Sequence, residues 1–391
     1  MPSPMSVATA HDEFVPRCEA LVPGLRARAE EAEALRRLPD ETLREVREAD
    51  LLRAVVPTSL GGLGLGLDDL AQGTRVLAQG CPASAWTISF LMLHGWLLSK
   101  LPPAGRDELF ADGPVVLAPA PLAPTGTVTV VDGGYRLTGR WEWATGVAHS
   151  EWVLVHAVQA EPELTTHFLV LPRSEVEVDD VWFTSGMRAT GSNTVRIDDR
   201  FVPAHRAMPA RSLLFDAASL DGDGLVNHPV PSVLALVASA PALGAAEAAV
   251  ALFKERLTDR VLAYSLGDRQ REQPAAQVRL ATALSDLASA RARCDAAIAA
   301  LVDASAGESP SEQLRVDCRL AAAATVRASR GVISTVCEGA GASVYFSSSP
   351  LQRLQRDVEV LKGHVIFDWD RTAELAGRFA LGFGLRPTDM V

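Results

Sequence analysis

Paired cysteines are missing from this sequence. The five present (Cys18, Cys81, Cys294, Cys318 and Cys337) are odd in number, scattered, and nowhere in a C-x-x-C arrangement, so neither a disulfide framework nor a metal-binding zinc motif is supported. A basic excess is missing too. Lys and Arg number 37 against 48 Asp and Glu, a net charge of -11, which gives no attraction to nucleic acid or an anionic membrane surface. No stretch reaches the roughly eighteen uninterrupted apolar residues of a membrane span. The segment Met1 to Pro16 carries Asp12 and Glu13 and no apolar run, unlike a signal peptide, so a cytoplasmic location is expected. There is no G-x-x-x-x-G-K-[ST] phosphate loop, no H-E-x-x-H and no G-x-S-x-G, which sets aside three common catalytic chemistries. With only three tyrosines, no aromatic recognition code for a substrate is visible.

What is present reads in three parts. At 391 residues, 48% hydrophobic and 22% charged, the chain suits two or three packed globular subdomains. Residues Val22 to Leu52 are rich in Ala, Glu, Leu and Arg, with a helix start at Pro39-Asp40-Glu41. The glycine run Gly61–Gly66 lacks dinucleotide-loop spacing and reads as a connector before a helix from Asp68. An apolar helix follows over about Ala83 to Leu101, stopped by Pro102-Pro103. From about Pro114 the period changes to that of strands. Thr127–Val131 and Tyr135–Thr138 flank Asp132-Gly133-Gly134 as a hairpin, and further strands are predicted at Trp152–Val158, His167–Leu171 and Thr194–Ile197. Long Ala-rich helices are predicted at Val233–Lys254, Ala275–Ala304 and Glu312–Gly339. This gives an N-terminal helical domain over residues 1–113, a middle β domain over 114–212 and a C-terminal helical bundle over 213–391. Segregated helices and strands argue against a doubly wound dinucleotide fold. From pattern alone, an all-α domain with a β insertion describes the order equally well.

Two segments carry chemical information. In Gly139-Arg140-Trp141-Glu142-Trp143-Ala144-Thr145-Gly146, two tryptophans two apart on a strand are predicted to share one face. They would offer an indole to a planar ring, with the Thr145 hydroxyl and nearby backbone N–H groups for its polar edge; a Trp pair covering a β core fits the same pattern. The second segment is Gly186-Met187-Arg188-Ala189-Thr190-Gly191-Ser192-Asn193, followed by Asp198-Asp199-Arg200-Phe201-Val202-Pro203. These motifs, together with Pro350–Asp357, resemble in order the acyl-CoA dehydrogenase superfamily from about Arg26 onward.

The resemblance implies a mainly α fold with a central β-barrel domain and a C-terminal four-helix bundle, assembled as a homotetramer or homodimer. It implies a flavin between the β domain and the bundle. Trp143 and Thr145, with Ala144 and Gly146 beside them, would lie against the isoalloxazine, Thr145 near N5. Ala118 belongs to a further flavin-contacting strand end, and Ser192 is another contact. The departures from the family pattern indicate the reaction. An acyl-CoA dehydrogenase needs a carboxylate base, but the two places where the family keeps it fall at Val365 and near Val233, and no acid lies between Asn227 and Gly244. His364, after Lys362-Gly363, instead resembles the two-component monooxygenases on this fold. Those take reduced flavin from a separate NAD(P)H:flavin reductase and react it with O2 through a C4a-hydroperoxide.

Helix geometry sets His364 beside a stripe of Leu351, Leu354, Val358, Leu361 and Val365, one turn before Asp368, its expected partner if the role is structural. His94, on the apolar helix, is the second candidate for moving protons. The Arg that holds an FAD diphosphate in the dehydrogenases is replaced by Ala263, with Arg260 one turn earlier, and the adenine-side glycines are altered around Gly339 and Gly341. That favours reduced FMN, with FAD the alternative. The expected activity is hydroxylation of a small aromatic or amine-type substrate; the rivals are a flavin dehydrogenase or desaturase and a catalytically silent flavin-binding scaffold.

Overall fold

The computed structural model describes residues 7–216, 224–225, 227–262, 265–305, 309–386 and 388–391. Six helices open the chain: α1 (Val7–Ala27), α2 (Ala29–Leu35), α3 (Asp40–Glu48), α4 (Leu67–Ala78), α5 (Pro82–Ser99) and α6 (Pro103–Leu109). Helix α3 begins where Pro39 fixes an extended entry, with Asp40 and Glu41 in the first turn, where the helix dipole favours negative charge. Helix α5 is apolar on every face, and every one of its residues is buried. Such a helix cannot lie on a surface and becomes the central strut of the molecule.

The strands are β1 (Gly126–Val131), β2 (Gly134–Ala144), β3 (Trp152–Gln159), β4 (Thr165–Pro172), β5 (Glu177–Asp179), β6 (Asn193–Pro203) and β7 (Ala207–Pro209). They form one seven-stranded sheet in the order β5-β6-β2-β1-β3-β4-β7, with β5 and β7 at its edges. The β1–β2 hairpin closes with Val131 opposite Gly134, and β1 runs parallel to β3. Alternation decides which core each side chain joins. Val153, Val155, Leu169 and Leu171 fill a core inside the β domain, whereas Leu154, Phe168 and Val170 point the other way into the helical core. The stretches Val153–Val155 of β3 and Phe168–Leu171 of β4 are continuously apolar because both of their faces are covered.

The remaining helices are α7 (Ala210–Phe215), α8 (Val230–Asp259), α9 (Pro274–Ser305), α10 (Glu312–Ala340), α11 (Pro350–Leu361) and α12 (Trp369–Ala380). Helix α8 is long and apolar enough to cross a membrane, yet 94% of its most apolar window is buried inside the protein. It packs against α4, α5, α9, α10 and α11, joining the two helical sets. At Gly244 a Cβ would lie 2.1 Å from the Arg75 carbonyl, so only glycine lets α8 approach α4 this closely.

Candidate active site

The end of β2 does not follow simple alternation. The register with β6 shifts between Trp141 and Ala144, and Trp143 has φ +62°. This bulge corrects the expected shared face of the two tryptophans. Trp141 is fully buried in the β core, donating its indole N–H to the His156 carbonyl at 2.7 Å, while Trp143 is 59% exposed. Ala144 is buried and ends the strand. Gly146 then turns with φ +74°, donating its N–H to the Thr190 carbonyl at 3.1 Å. A Cβ there would press on the Leu91 side chain at 3.1 Å.

Three buried hydroxyls meet at this turn. Thr145 Oγ1 lies 2.8 Å from Ser192 Oγ, and Ser192 Oγ lies 2.7 Å from Thr190 Oγ1. Thr190 Oγ1 donates to the Met187 carbonyl at 2.9 Å, and Trp86 Nε1 approaches Thr145 Oγ1 at 3.5 Å. The loop bearing Thr190 and Ser192 is docked onto α11. Asp357, fully buried there, accepts the Met187 N–H at 2.6 Å, and a Cβ on Gly186 would lie 2.1 Å from the Arg356 carbonyl. Burial pushes the Asp357 carboxyl up to about 7.

Helix α5 lays three rings along one stripe at i, i+4 and i+8: Trp86, Phe90 and His94. Trp86 stacks on Phe90 with centroids 4.5 Å apart, and Phe90 meets His94 edge-on at 5.4 Å. From the C-terminal side His364 meets the edge of Trp86 at 5.6 Å and Phe367 at 5.9 Å. The two histidines thus flank one aromatic wall. His94 is 2% exposed, and its Nδ1 lies 2.7 Å from the Ala118 carbonyl. A carbonyl can only accept, so Nδ1 carries the hydrogen and Nε2 keeps a lone pair. Its pKa is pushed down to about 4 by burial, against a smaller upward pull from the Ala118 bond.

His364 differs from expectation. Helix α11 ends at Leu361, and His364 caps a separate short turn over Val365–Phe367. The apolar stripe therefore does not continue through Val365, which is 53% exposed. Asp368 is not its partner: that carboxylate caps α12 by accepting from Arg371 N at 3.1 Å. The Ile366 N–H donates to His364 Nδ1 at 3.3 Å, which leaves the ring hydrogen of the neutral form on Nε2. Burial, and after it the charge of Arg319, push His364 down to about 4. At neutral pH both imidazoles are uncharged and of opposite tautomer: His94 offers an acceptor and His364 a donor.

Ala118 is placed differently from the strand end expected. It lies in an extended segment pinned to β3, where Trp152 N donates to Leu117 O at 3.2 Å and Leu154 N to Pro119 O at 3.0 Å, and its own carbonyl is taken by His94. Arg260, Gly339 and Gly341 form a second group at the far ends of α8 and α10. Arg260 donates to the Ala340 carbonyl, Gln270 Nε2 donates to the Gly339 carbonyl at 2.8 Å, and Gly341 (φ +78°) lies under the Arg260 guanidinium. Among the described residues no hydrogen bond or ring contact joins this group to the Thr145 cluster. Ala263 lies outside the described residues.

Sequence reasoning missed Trp86, Phe90 and Arg319, and it gave no site role to Thr190 and Asp357, which stand in the motifs that carry the resemblance. The i, i+4, i+8 spacing of Trp86, Phe90 and His94 was a usable signal. No such signal marks Arg319, which is 7% exposed and donates to the carbonyls of Val365 at 2.9 Å, Ile366 at 2.9 Å and Met390 at 3.0 Å, fixing the turn that holds His364.

Comparison with known proteins gives this geometry its context. Residues 236–369 match the family model described as acyl-CoA dehydrogenase, C-terminal domain. The chain is 34% identical over 378 residues to a pigment production hydroxylase of Rhodococcus sp. (strain ATCC 21145), covering 94% of this chain and 96% of that protein. It is 30% identical over 383 residues to the oxygenase component of p-hydroxyphenylacetate 3-hydroxylase from Acinetobacter baumannii, covering 95% and 90%. Among solved structures, XiaF from Streptomyces sp. in complex with FADH2 and glycerol superposes with a TM-score of 0.91 at 30% identity, covering 98% of each chain.

Proposed function

Because this chain belongs to the flavin-dependent monooxygenase oxygenase components of the acyl-CoA dehydrogenase superfamily, we propose that it hydroxylates a small aromatic substrate bearing a hydroxyl or amine. The observation that carries this reading is the pair of neutral histidines of opposite tautomer beside the Trp86–Phe90 wall. The His94 Nε2 lone pair accepts a proton from the substrate hydroxyl or amine, and His364 Nε2–H donates to an oxygen on the opposite side. Burial of both rings keeps them uncharged, and the apolar surroundings exclude water that would divert the reaction.

The residues suit a reduced flavin. An exposed Trp143 indole at a bulged strand end offers a face to a planar ring, and the Thr145 hydroxyl lies at the adjoining turn. When bound, the reduced flavin supplies the two electrons that activate O2. A separate flavin reductase delivers it, as the oxygenase-component relatives imply. FMN is the preferred form in this reading: Arg260 is engaged with the Ala340 carbonyl, and Ala263 stands where a diphosphate-binding Arg is expected. A homotetramer or homodimer fits the exposure of Tyr345 (60%) and Phe346 (67%) just beyond Gly341, a surface a second copy would cover.

The test supplies reduced FMN or FADH2, 18O2 and a panel of phenols, indoles and aromatic amines, with products read by mass. One labelled oxygen in a product supports the reading. Hydrogen peroxide as the sole product across the panel, with electron transfer to a dye from acyl thioesters, overturns it in favour of a dehydrogenase.

A further inference from the structure

The three hydroxyls beside β2 have a forced direction. The Met187 carbonyl can only accept, so the single hydrogen of Thr190 is committed to it at 2.9 Å. The 2.7 Å contact between Thr190 and Ser192 then needs the hydrogen of Ser192, and the 2.8 Å contact between Ser192 and Thr145 needs that of Thr145. The indole N–H of Trp86 can only donate, so its 3.5 Å approach to Thr145 is consistent with the same direction. Every hydrogen in the chain points away from Thr145 towards Met187. Thr145 Oγ1, 7% exposed as a residue, is left with lone pairs and no hydrogen to give.

We propose that this one-way hydroxyl chain makes Thr145 an obligate acceptor and so selects the reduced flavin over the oxidised one. The inference rests on the flavin reading given above. A reduced flavin carries a hydrogen on N5 and can donate it to Thr145; an oxidised flavin presents a bare N5 lone pair, which meets another lone pair. The cost of that mismatch is the cost of a buried acceptor without a donor. Ser192 and Thr190 act as positioning residues through Thr145, and the Met187 carbonyl sets the polarity. That carbonyl is held in turn by the docking of its loop on Asp357.

The experiment measures binding, with no turnover. Affinities for oxidised and anaerobically reduced FMN and FAD are determined for the full chain, for Ser192→Ala and for Thr190→Val, along with the midpoint potential of the bound flavin. Ser192→Ala releases the Thr145 hydrogen to point at a ligand. Thr190→Val keeps the contact between Ser192 and Thr145 but removes the Thr190 hydroxyl that fixes its direction, and it serves if Ser192→Ala does not fold. In both variants the reduced-to-oxidised preference falls by about tenfold, mainly through tighter binding of oxidised flavin, and the midpoint potential moves down accordingly. An unchanged ratio and potential in variants that still bind flavin overturns the polarity argument and leaves the monooxygenase reading standing. Failure of the unaltered protein to bind either form overturns that reading itself, and the inference with it.

Discussion

Replacing His94 by Asn separates two roles that His94→Ala would remove together. The Asn amide nitrogen falls near the place of the imidazole Nδ1 and can still donate to the Ala118 carbonyl, now bonded at 2.7 Å. It cannot reproduce the Nε2 lone pair. A positioned general base contributes about 10²- to 10⁴-fold, so hydroxylation of an accepted phenol should fall by that factor in both variants. Stability should divide them. His94→Ala leaves the buried Ala118 carbonyl without a donor at a cost of about 1–3 kcal/mol, and it opens a cavity beside Phe90.

A pH signature accompanies this. Burial holds the folded His94 down to about 4 while the unfolded ring titrates near the ordinary imidazole value of 6.5, so the unfolded state takes up the proton first as pH falls. The stability this ring contributes is complete above 6.5 and is lost as pH drops towards 4. At pH 5 the loss amounts to about 2 kcal/mol, from about 1.5 pH units at 1.36 kcal/mol each. Urea midpoints at pH 7.5 and pH 5 check it: the drop between them should be smaller by this amount in His94→Asn. Wild-type hydroxylation by His94→Asn would refute the base assignment. An undiminished pH 5 loss would refute a buried neutral ring.

Arg319→Met removes three bonds from a buried cation to the Val365, Ile366 and Met390 carbonyls; hydrogen–deuterium exchange at Ile366 and Phe367 should accelerate by at least about tenfold while the β2 amides stay protected. Asp357, raised by burial from 3.8 to about 7, costs stability as pH climbs through that window, because the folded state resists losing the proton. Asp357→Asn keeps an acceptor for Met187 N and should be as stable as the parent or more so above pH 7, whereas Asp357→Leu should lose about 1–3 kcal/mol in a urea titration. All five cysteines are buried, with thiols raised to between about 11 and 12 by desolvation, so a thiol reagent should label none of them in the native protein and all after unfolding.

Periodicity and punctuation by themselves determined most of the architecture. The largely apolar run before Pro102 had to be a buried helix, the Asp132-Gly133 turn had to close a hairpin, and the three Ala-rich stretches had the length of packed helices, because each depends on residues near one another in the chain. The resemblance to a known superfamily, and not periodicity, picked out Thr145, Ser192, His94 and His364, which the fold brings around the Trp86–Phe90 wall. Other features belonged to tertiary structure alone. The bulge at Trp143 arises from pairing with β6, so strand alternation could not foresee that Trp141 turns inward and Trp143 outward. The helix stop before His364 is held by Arg319 from more than forty residues upstream. The tautomers of the two histidines and the direction of the hydroxyl chain depend on which carbonyls and N–H groups lie opposite them. Those partners, Ala118 for His94 and Met187 for Thr190, are assigned by the packing of separate elements, and a hydrogen's direction cannot be read until they have met.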